Sequence, residues 1–290
     1  MKSDETDWFE YRRLWRDAFG DTEKYMDYYF HKKASRSIIY EDRREGELCS
    51  MAFFTMYDAV LRGKPCRLPY IVGVATDKNR RHEGRMTRTL LTGMEEMSKQ
   101  GCPLVFLSPA DPAIYAHLGF VPGYERQTTI WEKSGHSTLQ IQGWDSLQNT
   151  QKSQVAAFAK EQLKNEMFDL YLDHHEQYYH EVNQELKALN GELLVLFDQE
   201  TIVGVANWIV EEGRNEVTEL ICSRDMAGRV MESLHTWCGG DALIVDDSTF
   251  INHLKGNGIR HKKQEIPYLM YCFLKADSPL RLQCYINDIT

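Results

Sequence analysis

The chain has 290 residues, of which 42% are hydrophobic and 27% charged, and its formal net charge is −9. This is the composition of an ordinary globular protein long enough for two domains, and it excludes a disordered or fibrous chain. No apolar run approaches the about 20 residues that a membrane helix needs, and the charged N-terminus does not resemble a secretory signal, so we expect a cytoplasmic protein with no membrane contact.

The cysteines and histidines give no sign of a metal site. The seven cysteines include no C-x-x-C pair, which argues against a zinc cluster or a disulfide framework. The sequence DHHEQYYH at 173–180 lacks the H-E-x-x-H spacing of a zinc site and favours a surface helix. The acidic balance does not favour nucleic acid and suits a cationic partner such as an amine.

Turn signals and hydrophobic periodicity divide the first half into helices and strands. Residues 4–33 predict two helices broken at Gly20, with Asp21 or Thr22 capping the second, and the aromatic residues from Tyr25 to Phe30 favour core packing over a pocket wall. The elements that follow are strands at 37–40, 48–57 and 68–76, a helix at 84–99, a strand at 104–108, a short helix at 111–118 and strands within 120–133.

The second half repeats this order of elements in a weaker form. A polar, turn-rich stretch at 134–153 predicts a boundary, so we expect domains at 1–137 and 138–290. The predicted elements are a helical stretch at 152–189, strands at 192–197, 202–211 and 217–222, a helix near 225–238 and short strands near 242–245 and 268–274. Strands and helices alternate in both halves, which indicates an α/β (α+β) fold with an internal duplication.

The segment YIVGVATDKNRRHEGRMTRTLL, residues 70–91, carries the sharpest pattern. An apolar strand leads into a basic loop with a single glycine, Gly84, and a helix begins there. The free N–H groups and the positive dipole of a helix N-terminus cradle a pyrophosphate, and the side chains of Arg80, Arg81 and Arg85 are available to add charge. The alternative is a solvated basic turn before an ordinary helix.

A second pattern lies in PLVFLSPADPAIYAHLGF, residues 103–120. A strand runs into a short helix that Asp111 caps, and this helix holds Tyr115 before Gly119-Phe120. A tyrosine in this place is a candidate general acid for a departing thiolate. Taken alone, such a tyrosine is more often a packing residue.

Together the two segments resemble the GNAT superfamily of N-acetyltransferases. Its R-x-x-G-x-(G/A) motif is matched by Arg81-His82-Glu83-Gly84-Arg85-Met86, with Met86 at the last position, and its tyrosine helix by IYAHLGF. Three longer motifs resemble those of the enhanced-intracellular-survival type, a group with tandem GNAT domains. They are VAT-x-x-x-x-R-x-x-G, SPADPAIY-x-x-LGF and LW-x-x-x-FGD. The resemblance implies two GNAT-like domains, the second degenerate, each a mixed, mostly antiparallel sheet flanked by helices.

The resemblance also implies a reaction and its site. An amine of a small molecule or of a lysine side chain would attack the thioester of acetyl-CoA, and Tyr115 would protonate the leaving thiolate. The residues implied in acetyl-CoA binding are Val74, Ala75 and Thr76 for the pantetheine arm, Arg81, His82, Glu83, Gly84, Arg85, Met86 and Thr87 for the pyrophosphate, and Ala110 and Asp111 near the thiol.

The motifs identify neither the general base nor the oligomeric state. Relatives with three lobes end in a sterol-carrier-like domain, whose terminal carboxylate serves as base, and we expect this chain to stop after the second lobe. Thr290 is then the candidate for that carboxylate. The resemblance leaves a homo-oligomer open. The alternative function is a catalytically silent acyl-CoA-binding or interaction protein with the same fold.

Overall fold

Two mixed sheets, each flanked by helices, make up the computed structural model, which describes residues 8–132, 135, 139–211, 213–264, 267–274 and 281–286. The helices in these residues are α1 Phe9–Phe19, α2 Glu23–Tyr28, α3 Arg85–Lys99, α4 Ala113–Ala116, α5 Asn149–Asn165, α6 Glu176–Ala188 and α7 Ala227–Cys238. The strands are β1 Ile38–Arg44, β2 Glu47–Leu61, β3 Lys64–Thr76, β4 Leu104–Leu107, β5 Val121–Tyr124, β6 Gln127–Trp131, β7 Gln140–Gly143, β8 Leu170–Leu172, β9 Glu192–Asp198, β10 Thr201–Glu211, β11 Arg214–Cys222, β12 Leu243–Val245, β13 Ile259–Lys263, β14 Leu269–Phe273 and β15 Cys284–Tyr285.

Both sheets are mixed and mostly antiparallel, so the predicted fold class is confirmed. The first sheet has the order β15-β8-β2-β3-β4-β14-β5, with β1 paired to β2, and the second has the order β13-β6-β12-β11-β10-β9-β7. In each sheet one parallel pair joins consecutive strands across a single helix, β3 with β4 around α3 and β11 with β12 around α7. This shared unit is the internal duplication that the sequence indicates. The first sheet has a second parallel pair, β8 with β15.

The two sheets exchange strands along the chain. β6, from the first half, pairs with β12 and β13 in the second sheet, and β14, from the second half, lies between β4 and β5 in the first sheet. Residues 137 and 138, where we expect the domain boundary, lie outside the described residues, and the division at that point stays a prediction. The exchange means that each sheet needs both halves of the chain.

The helical stretch predicted at 152–189 is wrong in one respect. It contains two helices, α5 and α6, separated by the strand β8. β8 has only three residues and pairs with the far end of β2, from Ala59 to Leu61. Short strands such as β8 are stabilised by their distant partner, and their own sequence gives little signal.

Helices pack on both faces of the first sheet. On one face α3 buries Leu90, Met94 and Met97 against strand residues. On the other face lie α1, α2 and the π-helical turn Tyr29–Lys33, where Tyr29 and Phe30 are buried as the sequence predicts. Tyr25 is also buried there but lines a cavity, so the prediction that it forms no pocket wall is wrong. Within the described residues, no helix has the length and apolar character that crossing a membrane requires.

Candidate functional site

The parallel strands β3 and β4 separate at the centre of the first sheet. They pair only at Tyr70 with Phe106 and at Ile71 with Leu107. β4 then ends, while β3 continues to Thr76 with a bulge opposite Met51 and Phe53 of β2. On the β4 side, residues 72–76 pair with no described strand, so the backbone N–H and C=O groups that point to that side are open to an extended ligand.

The open edge of β3 leads to the N-terminus of α3, a helix of 15 residues. Gly84 precedes it with a left-handed φ of 70°. The first backbone hydrogen bond into the helix runs from Arg88 N–H to Gly84 O, and the N–H groups of Arg85, Met86 and Thr87 donate to no described backbone acceptor. Three free donors at the positive end of a helix fit a diphosphate.

The arginine side chains of this loop differ in their roles. The guanidinium of Arg85 is buried and bonds to Asp42 at 2.6 Å and Glu83 at 2.8 Å, and Arg88 bonds to the other oxygen of Asp42. The expectation that the Arg85 side chain adds free positive charge is therefore wrong, because these two carboxylates already occupy it. Arg81 is exposed, with its Nε 3.4 Å from Thr76 O.

A cavity of about 670 Å³ lies where β3 and β4 separate. Four of the residues predicted for the site line it together: Val74 on β3, Met86 on α3, and Ala110 and Tyr115 near α4. The others lie around this centre. Ala75 is buried beneath the β3 edge, and the Thr76 hydroxyl lies 3.1 Å from that of Ser50.

The remaining predicted residues frame the loops on either side of the cavity. Asp111 is exposed, and its Oδ1 accepts a hydrogen bond from Ala113 N–H at 2.9 Å, which caps α4 as the sequence predicts. His82 is exposed with a left-handed φ of 65°, and Thr87 is half-buried in the first turn of α3. Thr290 lies outside the described residues, so its role as base stays a prediction.

Tyr115 is held in α4 with its ring edge-on to Phe120 and is largely buried. Its hydroxyl makes no hydrogen bond with the described residues, although the side chain lines the cavity. Burial raises the pKa of the phenol to about 12. A phenol that stays protonated at neutral pH and faces a cavity can donate a proton to a leaving group.

The other end of the cavity is formed by the N-terminal helices and by Leu189, which follows α6. Asp21 lines it, and its Oδ2 accepts a hydrogen bond from Trp15 Nε1 at 2.7 Å. The sequence offered Asp21 or Thr22 as the cap of α2, and Thr22 takes that role by accepting from Tyr25 N–H. Asp21 is the functional candidate that sequence reasoning missed, and the LW-x-x-x-FGD motif was the signal that marked it.

Gly73 lets α1 approach β3 at this end of the cavity. Its φ is +61°, and a β-carbon there would overlap the Trp15 ring and lie 2.9 Å from Cδ2 of Phe53. The indole therefore rests directly on the bulged backbone of β3. This contact places the hydrogen bond from Trp15 to Asp21 beside the open strand edge.

We expect Gly73→Ala to lower the free energy of unfolding by about 2–3 kcal/mol, from strain at a left-handed φ and displacement of the Trp15 ring. Urea denaturation measures this. Gly63→Ala is the matched control, since Gly63 has a φ of +74° with nothing within 4 Å of the added β-carbon. Equal losses in the two variants would contradict the role of the indole contact.

Glu219 and His174, in the second half, form a buried hydrogen-bonded group. Glu219, on β11, is buried and accepts a hydrogen bond from Asn207 at 3.1 Å, and His174 lies 3.3 Å from its other oxygen. His174 is thus buried ahead of α6, and its placement on a surface helix is wrong. Burial, with the nearby Asp246 carboxylate, raises the pKa of Glu216 to about 7. The described residues contain no cluster suited to a metal ion.

A family model matches most of the first half of the chain. Residues 2–123 match the model of an acetyltransferase (GNAT) domain. The match covers every residue that lines the cavity except Leu189. No curated protein matches the chain.

Solved structures extend the likeness to most of the chain. A GCN5-related N-acetyltransferase of Anabaena variabilis superposes with a TM-score of 0.70 at 13% identity, over 95% of this chain and 72% of its own. Eis1 of Mycobacterium abscessus gives 0.61 at 12% identity, over 94% and 73%. N-myristoyltransferase of Saccharomyces cerevisiae, solved with myristoyl-CoA, gives 0.60 at 12% identity, over 93% and 76%. At these identities the likeness shows the fold.

Proposed function

Because residues 2–123 match the model of an acetyltransferase (GNAT) domain, we propose that the chain is an N-acyltransferase that moves the acetyl group of acetyl-CoA to an amine. One observation carries the proposal. The open edge of β3 and the free N–H groups of α3 lead to the cavity that Tyr115 and Asp21 line. A long donor with a diphosphate at one end and a thioester at the other matches this arrangement.

In this proposal the backbone does most of the binding. The edge at Val74 to Thr76 pairs with the amides of the pantetheine arm, as an added strand does. The N–H groups from Arg85 to Thr87 hold the pyrophosphate, and Arg81 adds charge from the exposed side. The thioester then lies beside Ala110, at the point where β3 and β4 separate.

The chemical step is a direct transfer. The amine nitrogen attacks the thioester carbon, the bond from carbon to sulfur breaks, and the Tyr115 hydroxyl gives its proton to the leaving thiolate. The ammonium that Asp21 attracts loses one proton before the attack, and the nitrogen loses a second as the amide forms. A general base, for which Thr290 is the candidate from the sequence, accepts the first of these protons, and water accepts the second. Open backbone N–H groups on the edge of β3 polarise the carbonyl.

Two measurements test the proposal with the full chain. Calorimetry with acetyl-CoA measures donor binding, and a thiol reagent measures release of CoA in the presence of a panel of amines. We expect binding, and release of thiol that depends on the amine and is matched by an acetylated product. Binding without release for every amine would favour a silent acyl-CoA-binding protein instead.

A variant at the start of α3 isolates the pyrophosphate site. We expect Gly84→Asp to weaken acetyl-CoA binding about tenfold or more, since a carboxylate beside the free N–H groups repels the diphosphate and competes for its donors. Calorimetry measures the dissociation constant.

The control for this variant lies at the other end of the same helix. Gly101 also has a left-handed φ, of +89°, with nothing within 4 Å of an added β-carbon. Gly101→Asp therefore carries a similar backbone strain and the same charge, away from the proposed site. Equal losses of affinity in both variants would contradict a pyrophosphate site at Gly84.

A further inference from the structure

We propose that the acceptor is a monoamine with an apolar substituent about the size of a phenyl ring, in preference to a polyhydroxylated or polycationic amine. This assignment rests on the proposed function and names the substrate class of the same site. It is carried by the charge and the chemical character of the acceptor end, defined as the part of the cavity lined by Trp15, Phe19, Asp21, Tyr25 and Leu189.

The charge of the cavity fits one ammonium group. Among the described residues that line it, Asp21 is the only one with a formal charge. Trp15 fixes its Oδ2 at 2.7 Å, and its Oδ1 accepts no hydrogen bond from a described side chain or backbone. A single oriented carboxylate matches a single cation, whereas a polyamine would bring further charges into a cavity whose described lining offers them no partner.

The walls beside Asp21 are apolar. Trp15 and Phe19 lie with their ring centroids 4.9 Å apart, and Leu189 lines the same end. Phe19 is 45% exposed, and Ile114, which also lines the cavity, is 38% exposed. Large apolar side chains that remain in water around one cavity mark a place where apolar surface binds. Against the side chains of Phe19 and Leu189, a sugar-like substrate would lose water from its hydroxyl groups without regaining hydrogen bonds.

The apolar wall is fixed by contacts between the two halves of the chain. Lys24 Nζ, on α2, donates to Lys187 O at 2.9 Å and to Asn190 Oδ1 at 2.6 Å, on either side of Leu189. The Tyr25 hydroxyl donates to Glu185, one turn earlier on α6, at 3.3 Å. The acceptor end is therefore a preformed surface, and it selects its substituent by shape as well as by polarity.

The test compares amines with acetyl-CoA as the donor. The pair 2-phenylethylamine and ethylamine differs by a phenyl ring, and kanamycin and spermidine represent polyhydroxylated and polycationic acceptors. We expect kcat/KM for 2-phenylethylamine to exceed that for ethylamine about tenfold or more, since burying a ring of this size contributes that much. A higher kcat/KM for kanamycin or spermidine than for 2-phenylethylamine would overturn the assignment.

Two further outcomes separate this inference from the proposed function. Thiol release with kanamycin or spermidine but not with 2-phenylethylamine would leave the acyltransferase in place and remove the apolar acceptor. If none of the tested amines gave thiol release, both the proposed function and the acceptor assignment would be overturned. A preference for octanoyl-CoA over acetyl-CoA with ethylamine would assign the apolar end to the acyl chain, and would also overturn the inference.

Two variants with controls locate the effect. Phe19→Ala should raise KM for 2-phenylethylamine about tenfold and leave that for ethylamine within about twofold. Phe9→Ala removes an exposed phenyl ring from the other end of α1 and should leave both KM values unchanged.

Asp21→Asn should lower kcat/KM for both amines. Asp17→Asn removes an exposed carboxylate on α1 and should leave kcat/KM unchanged. Equal effects of Phe19→Ala on both amines would overturn the inference.

Discussion

Tyr115→Phe should lower kcat by about 10²–10⁴-fold, because a positioned general acid contributes a factor of that size. The dissociation constant of acetyl-CoA should stay unchanged, since the donor is bound by the edge of β3 and the start of α3. The phenol has no hydrogen bond to the described residues, so its removal breaks no internal contact of that kind. Thiol-release kinetics and calorimetry measure the two quantities.

Tyr171→Phe is the matched control. Tyr171 is half-buried on β8 and does not line the cavity, so the same loss of a hydroxyl there should leave kcat unchanged. If Tyr115→Phe keeps its turnover, the acid role is wrong and the thiolate leaves without a proton from this residue. If it loses acetyl-CoA binding as well as turnover, the residue acts on the donor and not only on the leaving group.

The pH dependence of Tyr115 has a definite sign. Burial raises its pKa to about 12, against about 10 for an exposed tyrosine. The phenol therefore keeps its proton in the folded enzyme below about pH 12, and kcat should show no decline from its ionisation between pH 7 and 10. The raised pKa stabilises the fold fully below about pH 10, and that contribution is lost as the pH rises through about 12.

Glu185→Leu should lower the free energy of unfolding by about 3–5 kcal/mol, because it leaves the ammonium of Lys33 buried without the carboxylate. The side chains of Lys33 and Glu185 are 6% and 2% exposed, and Nζ lies 2.7 and 2.6 Å from the two oxygens. Lys33 ends the turn before β1, and Glu185 lies on α6. Their ion pair therefore joins the N-terminal helices to the second half of the chain.

The double variant Lys33→Met with Glu185→Leu completes this test. Replacing both charges by apolar groups should restore most of the stability that Glu185→Leu loses, since an apolar pair of similar size has no charge to leave uncompensated. Urea denaturation of the wild type, both single variants and the double variant gives the coupling free energy. Losses that simply add would show that the buried pair is not coupled.

Several elements of the site follow from local sequence, and these the sequence predicted. These features depend on residues that are close together in the sequence. They are the strand that ends at Thr76, Gly84 with the helix after it, and Asp111 and Tyr115 around their short helix. Hydrophobic periodicity, a helix cap and a glycine with left-handed φ depend on neighbours within a few positions. The alternation of strands and helices in each half predicts an α/β or α+β fold, and the two mixed sheets were implied by the resemblance to GNAT proteins.

By itself, the sequence determined the donor side of the site: an open strand, a glycine, a helix start and a tyrosine. Only the tertiary structure decided the acceptor side, where Trp15 rests on Gly73 and turns Asp21 toward the cavity, and where Leu189 closes it from the far half. The tertiary structure also decided the exchange of β6 and β14 between the sheets, and it showed that Asp42 already pairs with the Arg85 side chain. These contacts join residues far apart in the chain, and their free energy comes from packing and charge pairing that no local pattern records.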